Sequence, residues 1–115
     1  MVDPVGQTAC ETIGKMRCSL SGEQLPFACG AWLSKGGRYI VVLSSTVDIK
    51  EGSVSRIVPM CPPGTNTSIP SVLADYIVTE YGIGRLAEKS LLKRAEALIS
   101  ISHPDFRTEL GRAAR

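Results

Sequence analysis

The sequence is short of most features that announce a specialised chemistry. It has one histidine, His103, and therefore no histidine partner with which to build a metal site. Its four cysteines, Cys10, Cys18, Cys29 and Cys61, include no close C-x-x-C pair and follow no secretory signal. Free thiols are expected from them, ahead of zinc, redox or disulfide chemistry. No apolar run approaches the roughly 18 residues a membrane span needs, and residues 1–14 carry neither a basic n-region nor an apolar h-region. Charge of one sign is scarce too. The net charge is +2, and the densest basic group, Lys89, Lys93 and Arg94, is interleaved with Glu88 and Glu96 as on a solvated helix face. Nucleic acid and membrane are thus set aside as partners, and no metal is expected. The cytoplasm is the default location, with an organelle open to a version led by a transit segment.

The composition that remains, 43% apolar and 21% charged, is that of an ordinary folded protein, and 115 residues suffice for one domain but not two. The first twenty residues lack a sustained period and read as irregular. A helix is predicted next, with Pro26 in its first turn, Leu25, Cys29, Trp32 and Leu33 at helical spacing, and Gly36-Gly37 as its stop signal. Residues 39–43, Tyr-Ile-Val-Val-Leu, read as a short buried strand. Residues 54–58 and 76–79 are two further strand candidates, separated by the proline-rich loop 61–66. Ser90 is placed to cap a helix from Leu91 to about Ile101, with Leu91, Ala95, Leu98 and Ser102 on its buried stripe beside Leu92 and Ile99. His103-Pro104 ends that helix, Pro104 starts a shorter one through Phe106 and Leu110, and the tail from Gly111 is expected to fray. Strands alternating with helices predict an α/β fold. Three short strands are few, so the sheet is either small or part of a larger one.

Several segments, in this order, carry a resemblance. They are Val2-Asp3-Pro4-Val5-Gly6-Gln7, Gly22-Glu23-Gln24-Leu25-Pro26-Phe27, Ser34-Lys35-Gly36-Gly37, Ser55-Arg56-Ile57-Val58-Pro59, Pro62-Pro63-Gly64, Val78-Thr79-Glu80-Tyr81-Gly82, Lys89-Ser90-Leu91, and Ala95 to Leu110 with His103-Pro104-Asp105-Phe106-Arg107. Together they resemble the C-terminal region of the acetyl-CoA hydrolase/transferase family, across nearly the whole chain. The resemblance implies part of a CoA-transferase-type open sheet with flanking helices, residues 1–115 being the later portion of the family's C-terminal domain. It implies an acyl-CoA:carboxylate CoA-transferase or acyl-CoA hydrolase. In that chemistry a glutamate attacks an acyl-CoA to form an anhydride and then a glutamyl-CoA thioester. The nucleophile's position lies before the segment matching Val2, and Glu11 does not occupy it. The isolated chain is therefore expected to be inactive and to need the N-terminal part of the enzyme. Acyl-CoA and small carboxylic acids are its implied substrates, with no permanently bound cofactor, and a homo-oligomer is left open.

Three residues are singled out. Ser21-Gly22-Glu23-Gln24 is a small-residue loop entering a helix, a shape that can present backbone N–H groups to a developing oxyanion, and the resemblance maps the contributing amide onto Gly22. Lys50 lies in the polar turn 48–52 and matches a lysine that contacts coenzyme A in relatives, where an ammonium suits phosphate. Glu80 follows the third strand, at a strand end where α/β proteins tend to bind ligands, and the resemblance places it near the nucleophile as a supporting carboxylate. A helix-entry turn, a solvated lysine and a loop-anchoring carboxylate are the respective plain alternatives. The chain departs from the family pattern at Leu20 and Glu23, where glycine is usual, at Pro26, where aspartate is, and at Cys29, where arginine is. A truncated or stand-alone non-catalytic module for CoA binding or interaction is the competing reading.

Overall fold

The computed structural model of the protein describes residues 1–20 and 22–114. Its elements run in the order β1 (Thr12–Ile13), β2 (Met16–Arg17), α1 (Gln24–Leu33), β3 (Ile40–Val42), β4 (Thr46–Ile49), β5 (Gly52–Ser55), β6 (Tyr76–Thr79), β7 (Gly82–Arg85), α2 (Leu91–Ser100) and α3 (Pro104–Ala113), with a 3-10 turn at Ser71–Leu73. β3, β6 and β7 form the central sheet, β3 parallel and β7 antiparallel to β6. β1–β2 and β4–β5 are separate antiparallel hairpins. The fold is mixed α/β, with small sheets and three helices.

Alternation along the strands sorts the central sheet into two faces. Val41, Ile77 and Gly84 are mutual register neighbours on one of them. That face meets α2 and α3 in a core of Ile77, Leu86, Leu98, Ile101 and Leu110, joined by Val2 and Ile57. A Cβ on Gly84 would come 3.2 Å from Ile101 Cδ1 and 3.4 Å from the Ala97 carbonyl oxygen, so glycine here is what lets α2 lie directly on the sheet. α2 starts as predicted, with the Ser90 hydroxyl accepting from the Lys93 N–H at 3.4 Å. α3 starts at Pro104 with His103 as its cap, the imidazole Nδ1 accepting from the Asp105 N–H at 3.3 Å. Arg94 turns off α2 to donate to the carbonyls of Val5, Ser71 and Lys89, tying the N-terminal loop to the helix.

The structure corrects several sequence expectations. The strand at 39–43 pairs over Ile40–Val42 and is an edge strand, with Ile40 and Val42 exposed, because the chain's helices cover one face of the sheet only. The strand expected at 54–58 pairs only as far as Ser55, while Ile57 instead bridges the buried Val2. The N-terminal stretch is not irregular. Val2 also bridges Thr8, Asp3 accepts from the N–H groups of Val5 and Gln7, and β1–β2 follows. Leu91 and Leu92 of the proposed stripe are exposed, leaving Ala95, Leu98 and Ser102 to make the contact. α3 does not fray at Gly111 but continues to Ala113. All four cysteines are free thiols, and burial, then the charge of Asp3, pushes the Cys61 thiol above its ordinary pKa, so it stays protonated at neutral pH. No helix among the described residues is long and apolar enough to cross a membrane.

The α1 stop signal is structural. Gly36 adopts φ +71°, a region that favours glycine, and a Cβ on Gly37 would overlap the Ala31 carbonyl. Gly37→Ala is therefore expected to lower stability by about 1–3 kcal/mol, the usual scale of forced overpacking. Urea denaturation would check it; an unchanged midpoint would mean that the α1 exit relaxes without cost.

Candidate functional site

β6 and β7 are joined by the two-residue turn Glu80–Tyr81, with Thr79 paired to Gly82. Gly82 sits at φ +140°, where a side chain would be strained. The buried Thr79 hydroxyl donates to the Ile101 carbonyl and accepts from the Tyr81 N–H at 3.1 Å, so the turn is pinned to the end of α2. From this base the Glu80 carboxylate reaches Ser45, the wholly buried residue between β3 and β4. The Ser45 N–H donates to Oε2 at 2.9 Å and its hydroxyl to Oε1 at 2.6 Å. The hydroxyl donor, followed by the backbone N–H groups of Glu80 and Ser45, holds the Glu80 carboxyl below its ordinary pKa, and the nearby His103 acts in the same direction. Glu80 is thus a fixed negative charge at neutral pH, not a proton donor.

Aromatic and cationic groups stand beside this turn. The Tyr81 ring meets His103 edge-on at 5.5 Å between centres, and His103 meets Phe106 at 6.1 Å. The Arg107 guanidinium lies 5.6 Å from the centre of the Tyr81 ring and donates from Nε to the Ser102 carbonyl at 3.0 Å. The His103-Pro104-Asp105-Phe106-Arg107 segment therefore both starts α3 and buttresses the Glu80 turn. Contacts of this kind hold the turn still and leave the Glu80 oxygens to the Ser45 donors.

Lys50 lies on a different element. It occupies the exposed turn of the β4–β5 hairpin, between Ile49 and its register partner Gly52, with no ion pair among the described residues. Ser45 is at the base of that hairpin, so the strand rise of about 3.3 Å per residue sets Lys50 on the order of 15 Å from the Glu80–Ser45 bond. Gly22 is exposed just before α1, and a Cβ there would meet nothing within 4 Å, so no steric need for glycine arises inside this chain. Ser21, its neighbour in the proposed loop, lies outside the described residues. Beside α1 runs a concavity of about 870 Å³, whose walls include Gln24, Phe27, Arg38 and Ile40 but neither Glu80 nor Lys50. The three chosen residues thus mark three places, and no hydrogen bond joins them. Among the described residues no group of three or more His, Cys, Asp or Glu side chains is placed to hold a metal.

Similarity to known proteins extends along nearly the whole chain. Residues 1–114 match the family model for the acetyl-CoA hydrolase/transferase C-terminal domain. The chain belongs to this family. It is 42% identical over 114 residues to a probable butyrate:acetyl-CoA coenzyme A-transferase of Syntrophomonas wolfei, covering 99% of this chain and 26% of that protein. The crystal structure of RipA from Yersinia pestis is similar at 40% identity and a TM-score of 0.84, over 98% of this chain and 25% of that one. A 4-hydroxybutyrate CoA-transferase from Porphyromonas gingivalis is similar at 38% identity and a TM-score of 0.64, over 96% and 24% respectively. The chain spans about a quarter of the length of these relatives.

Within this acetyl-CoA hydrolase/transferase domain, Ser45 is the partner of Glu80 that the sequence did not reveal. Its run, Ser44-Ser45-Thr46, reads locally as a strand end, and nothing short-range signals a carboxylate partner that is remote in sequence. The pair should be visible in acid. A carboxyl whose folded pKa is lowered contributes stability above its unfolded value, here 4.5, and loses it as pH falls through the folded value. The stability gap between wild type and Glu80→Gln is accordingly expected to be full near neutral pH and to close below about pH 4.5, the carboxylate reference. Urea midpoints across that range test this, and a gap independent of pH would count against the assignment.

Proposed function

We propose that this domain forms part of an acyl-CoA:carboxylate CoA-transferase or acyl-CoA hydrolase that works through a glutamyl-CoA thioester, with the nucleophilic glutamate supplied from outside these 115 residues. The observation that carries the reading is the state of Glu80. A carboxylate nucleophile must present an unencumbered lone pair to the thioester carbonyl. Glu80 has both oxygens engaged by Ser45, which suits it to positioning, not attack. In the proposed sequence the external glutamate attacks the acyl-CoA carbonyl, forming an acyl-glutamyl anhydride and releasing CoA thiolate. The thiolate then attacks the glutamyl carbonyl, giving the glutamyl-CoA thioester and the free carboxylic acid as its anion. A second carboxylate reverses these steps in a transferase, and water ends them in a hydrolase. CoA enters as a substrate, not as a resident cofactor.

Within this scheme Glu80 orients and electrostatically tunes the nucleophile, the Gly22 amide faces the acyl oxygen, and Lys50 attracts CoA phosphate. The exposed ammonium of Lys50 in the hairpin turn, without an ion pair among the described residues, suits a contact made by charge across some distance. A non-catalytic module for CoA binding or interaction is the second reading, and the departures at Leu20, Glu23, Pro26 and Cys29 around the α1 entrance favour it. Glu23 provides no side-chain cap to α1, and it sets a carboxylate beside the proposed oxyanion contact.

Two variants in a complete enzyme carrying this domain separate the roles. Lys50→Ala is expected to raise KM for acyl-CoA more than it lowers kcat, with the effect shrinking as salt rises. An unchanged KM at low salt would remove Lys50 from the CoA site. Glu80→Gln is expected to lower kcat roughly tenfold to thousandfold, the scale for losing a positioned polar group. Near-normal kcat with a lowered melting temperature would reduce Glu80 to a loop anchor.

A further inference from the structure

Every polar group of Ser45 is in use. Its N–H donates to Glu80 Oε2 at 2.9 Å, its hydroxyl to Glu80 Oε1 at 2.6 Å, and its carbonyl accepts from the Arg56 N–H at 2.8 Å. It is wholly buried, while Val47, Ile49 and Val54 of the hairpin that follows are exposed. One residue thus supplies a donor to each oxygen of a carboxylate, which fixes the plane of that group as well as its place.

The same residue stands at the root of the β4–β5 hairpin. β4 and β5 pair with each other and with no third strand, so the direction of the hairpin is decided where it joins the body. On the returning side the Val2 N–H donates to the Arg56 carbonyl at 2.8 Å, and Ile57 is buried beside Val2 in the core. On the outgoing side Leu43 makes the last sheet contact, its N–H donating to the Val78 carbonyl at 3.0 Å, and Glu80 then takes hold of Ser45. The Arg56 N–H to Ser45 carbonyl bond ties the two sides together. Loss of the Glu80 contact would therefore free one side of the root.

We propose that Ser45 is a positioning residue for the CoA-transfer chemistry, which fixes the Glu80 carboxylate and fastens the β4–β5 hairpin to it, so that Lys50 and Glu80 are two ends of one body. The inference rests on the proposed function, which gives Lys50 the coenzyme A phosphate and Glu80 the nucleophile. Lys50 and Glu80 share no hydrogen bond, and without the root contact each would take its orientation independently. With it, ordering one end orders the other, and the ordering is done before substrate arrives.

Two measurements on this chain test the fastening without any activity. Of the groups that hold the Glu80 carboxyl low, the Ser45 hydroxyl comes first, ahead of the Glu80 and Ser45 N–H groups and His103. Tyr81, Asp105 and Arg107, which flank the turn or the His103 cap, are common to all the variants. In Ser45→Ala the Glu80 titration, followed by carboxyl carbon NMR, should move up in pH, and hydrogen exchange at the Arg56 N–H should quicken at least about tenfold. Ser45→Cys keeps a weaker donor of similar shape and should fall between Ser45→Ala and wild type. In a complete enzyme carrying this domain, Ser45→Ala should lower kcat roughly tenfold and move the acid limb of its pH profile upward. In a Glu80→Gln background the same substitution should do neither, and its effect on KM should be less than additive with that of Lys50→Ala. An unmoved titration and unchanged Arg56 exchange in both Ser45 variants would overturn the fastening, whatever the enzyme does. Additive KM effects would overturn the single body. If the chain responds and Glu80→Gln lowers kcat while Ser45→Ala does not, the positioning role is overturned and the proposed function stands. If neither lowers kcat, the positioning role falls together with the proposed role of Glu80.

Discussion

The close approach of α2 to β7 at Gly84 is the contact on which the rest of the molecule depends. Without a side chain there, Ala97 and Ile101 rest directly on the sheet, and Ile101 closes the core over Ile77 and Leu86. The same helix end supplies the carbonyl that the buried Thr79 hydroxyl needs, so packing and polar satisfaction are met at one place. Moving α2 outward by the thickness of a methyl group would break both at once. It would also displace Arg94, whose guanidinium ties the loop at Val5 and the 3-10 turn at Ser71 to the helix.

Glu80 inherits its rigidity from that contact. The turn that carries it is fastened behind by Thr79, beside by the Tyr81–His103–Phe106 rings, and in front by Ser45. Ser45 is also where the chain leaves the central sheet for the β4–β5 hairpin, and its carbonyl accepts from the Arg56 N–H as the chain returns. A single carboxylate thus closes the junction between two strand systems. Its charge is stabilised first by short donors, the Ser45 hydroxyl foremost, with His103 acting in the same direction.

How much of this was legible in the sequence follows from the range of the interactions. α2 and α3 were readable because Ser90 and His103-Pro104 are local start signals, and the strand at Tyr76–Thr79 because its apolar residues are contiguous. Strands β4 and β7 were not seen: Thr-Val-Asp-Ile and Gly-Ile-Gly-Arg carry little apolar weight, and pairing partners define them more than propensity does. Burial at 39–43 was misjudged because a β-rich apolar run says that a face wants covering, not that this chain covers it. Glu80 was picked out correctly as a residue at a strand end, but its hold on Ser45 spans the chain from one strand system to another and left no local trace. Lys50 came from family resemblance alone and Gly22 from a loop shape joined to that resemblance, and in the folded domain the three residues lie on different elements.

The β4–β5 hairpin has a consequence for how the chain reaches this structure. It lies between the parallel partners β3 and β6 and pairs only with itself. Hairpins close in roughly microseconds, whereas a parallel pairing must first meet the entropy of closing the long segment between its strands. Forming the hairpin early shortens the loop that β3 and β6 have to close, so a segment outside the central sheet speeds that sheet's assembly. The hairpin tip is also the place where the chain can lengthen or shorten between relatives at small cost, since it adds nothing to the central register. A change of that kind would alter the reach of Lys50 while the Glu80 turn, locked to the central sheet, stays where it is.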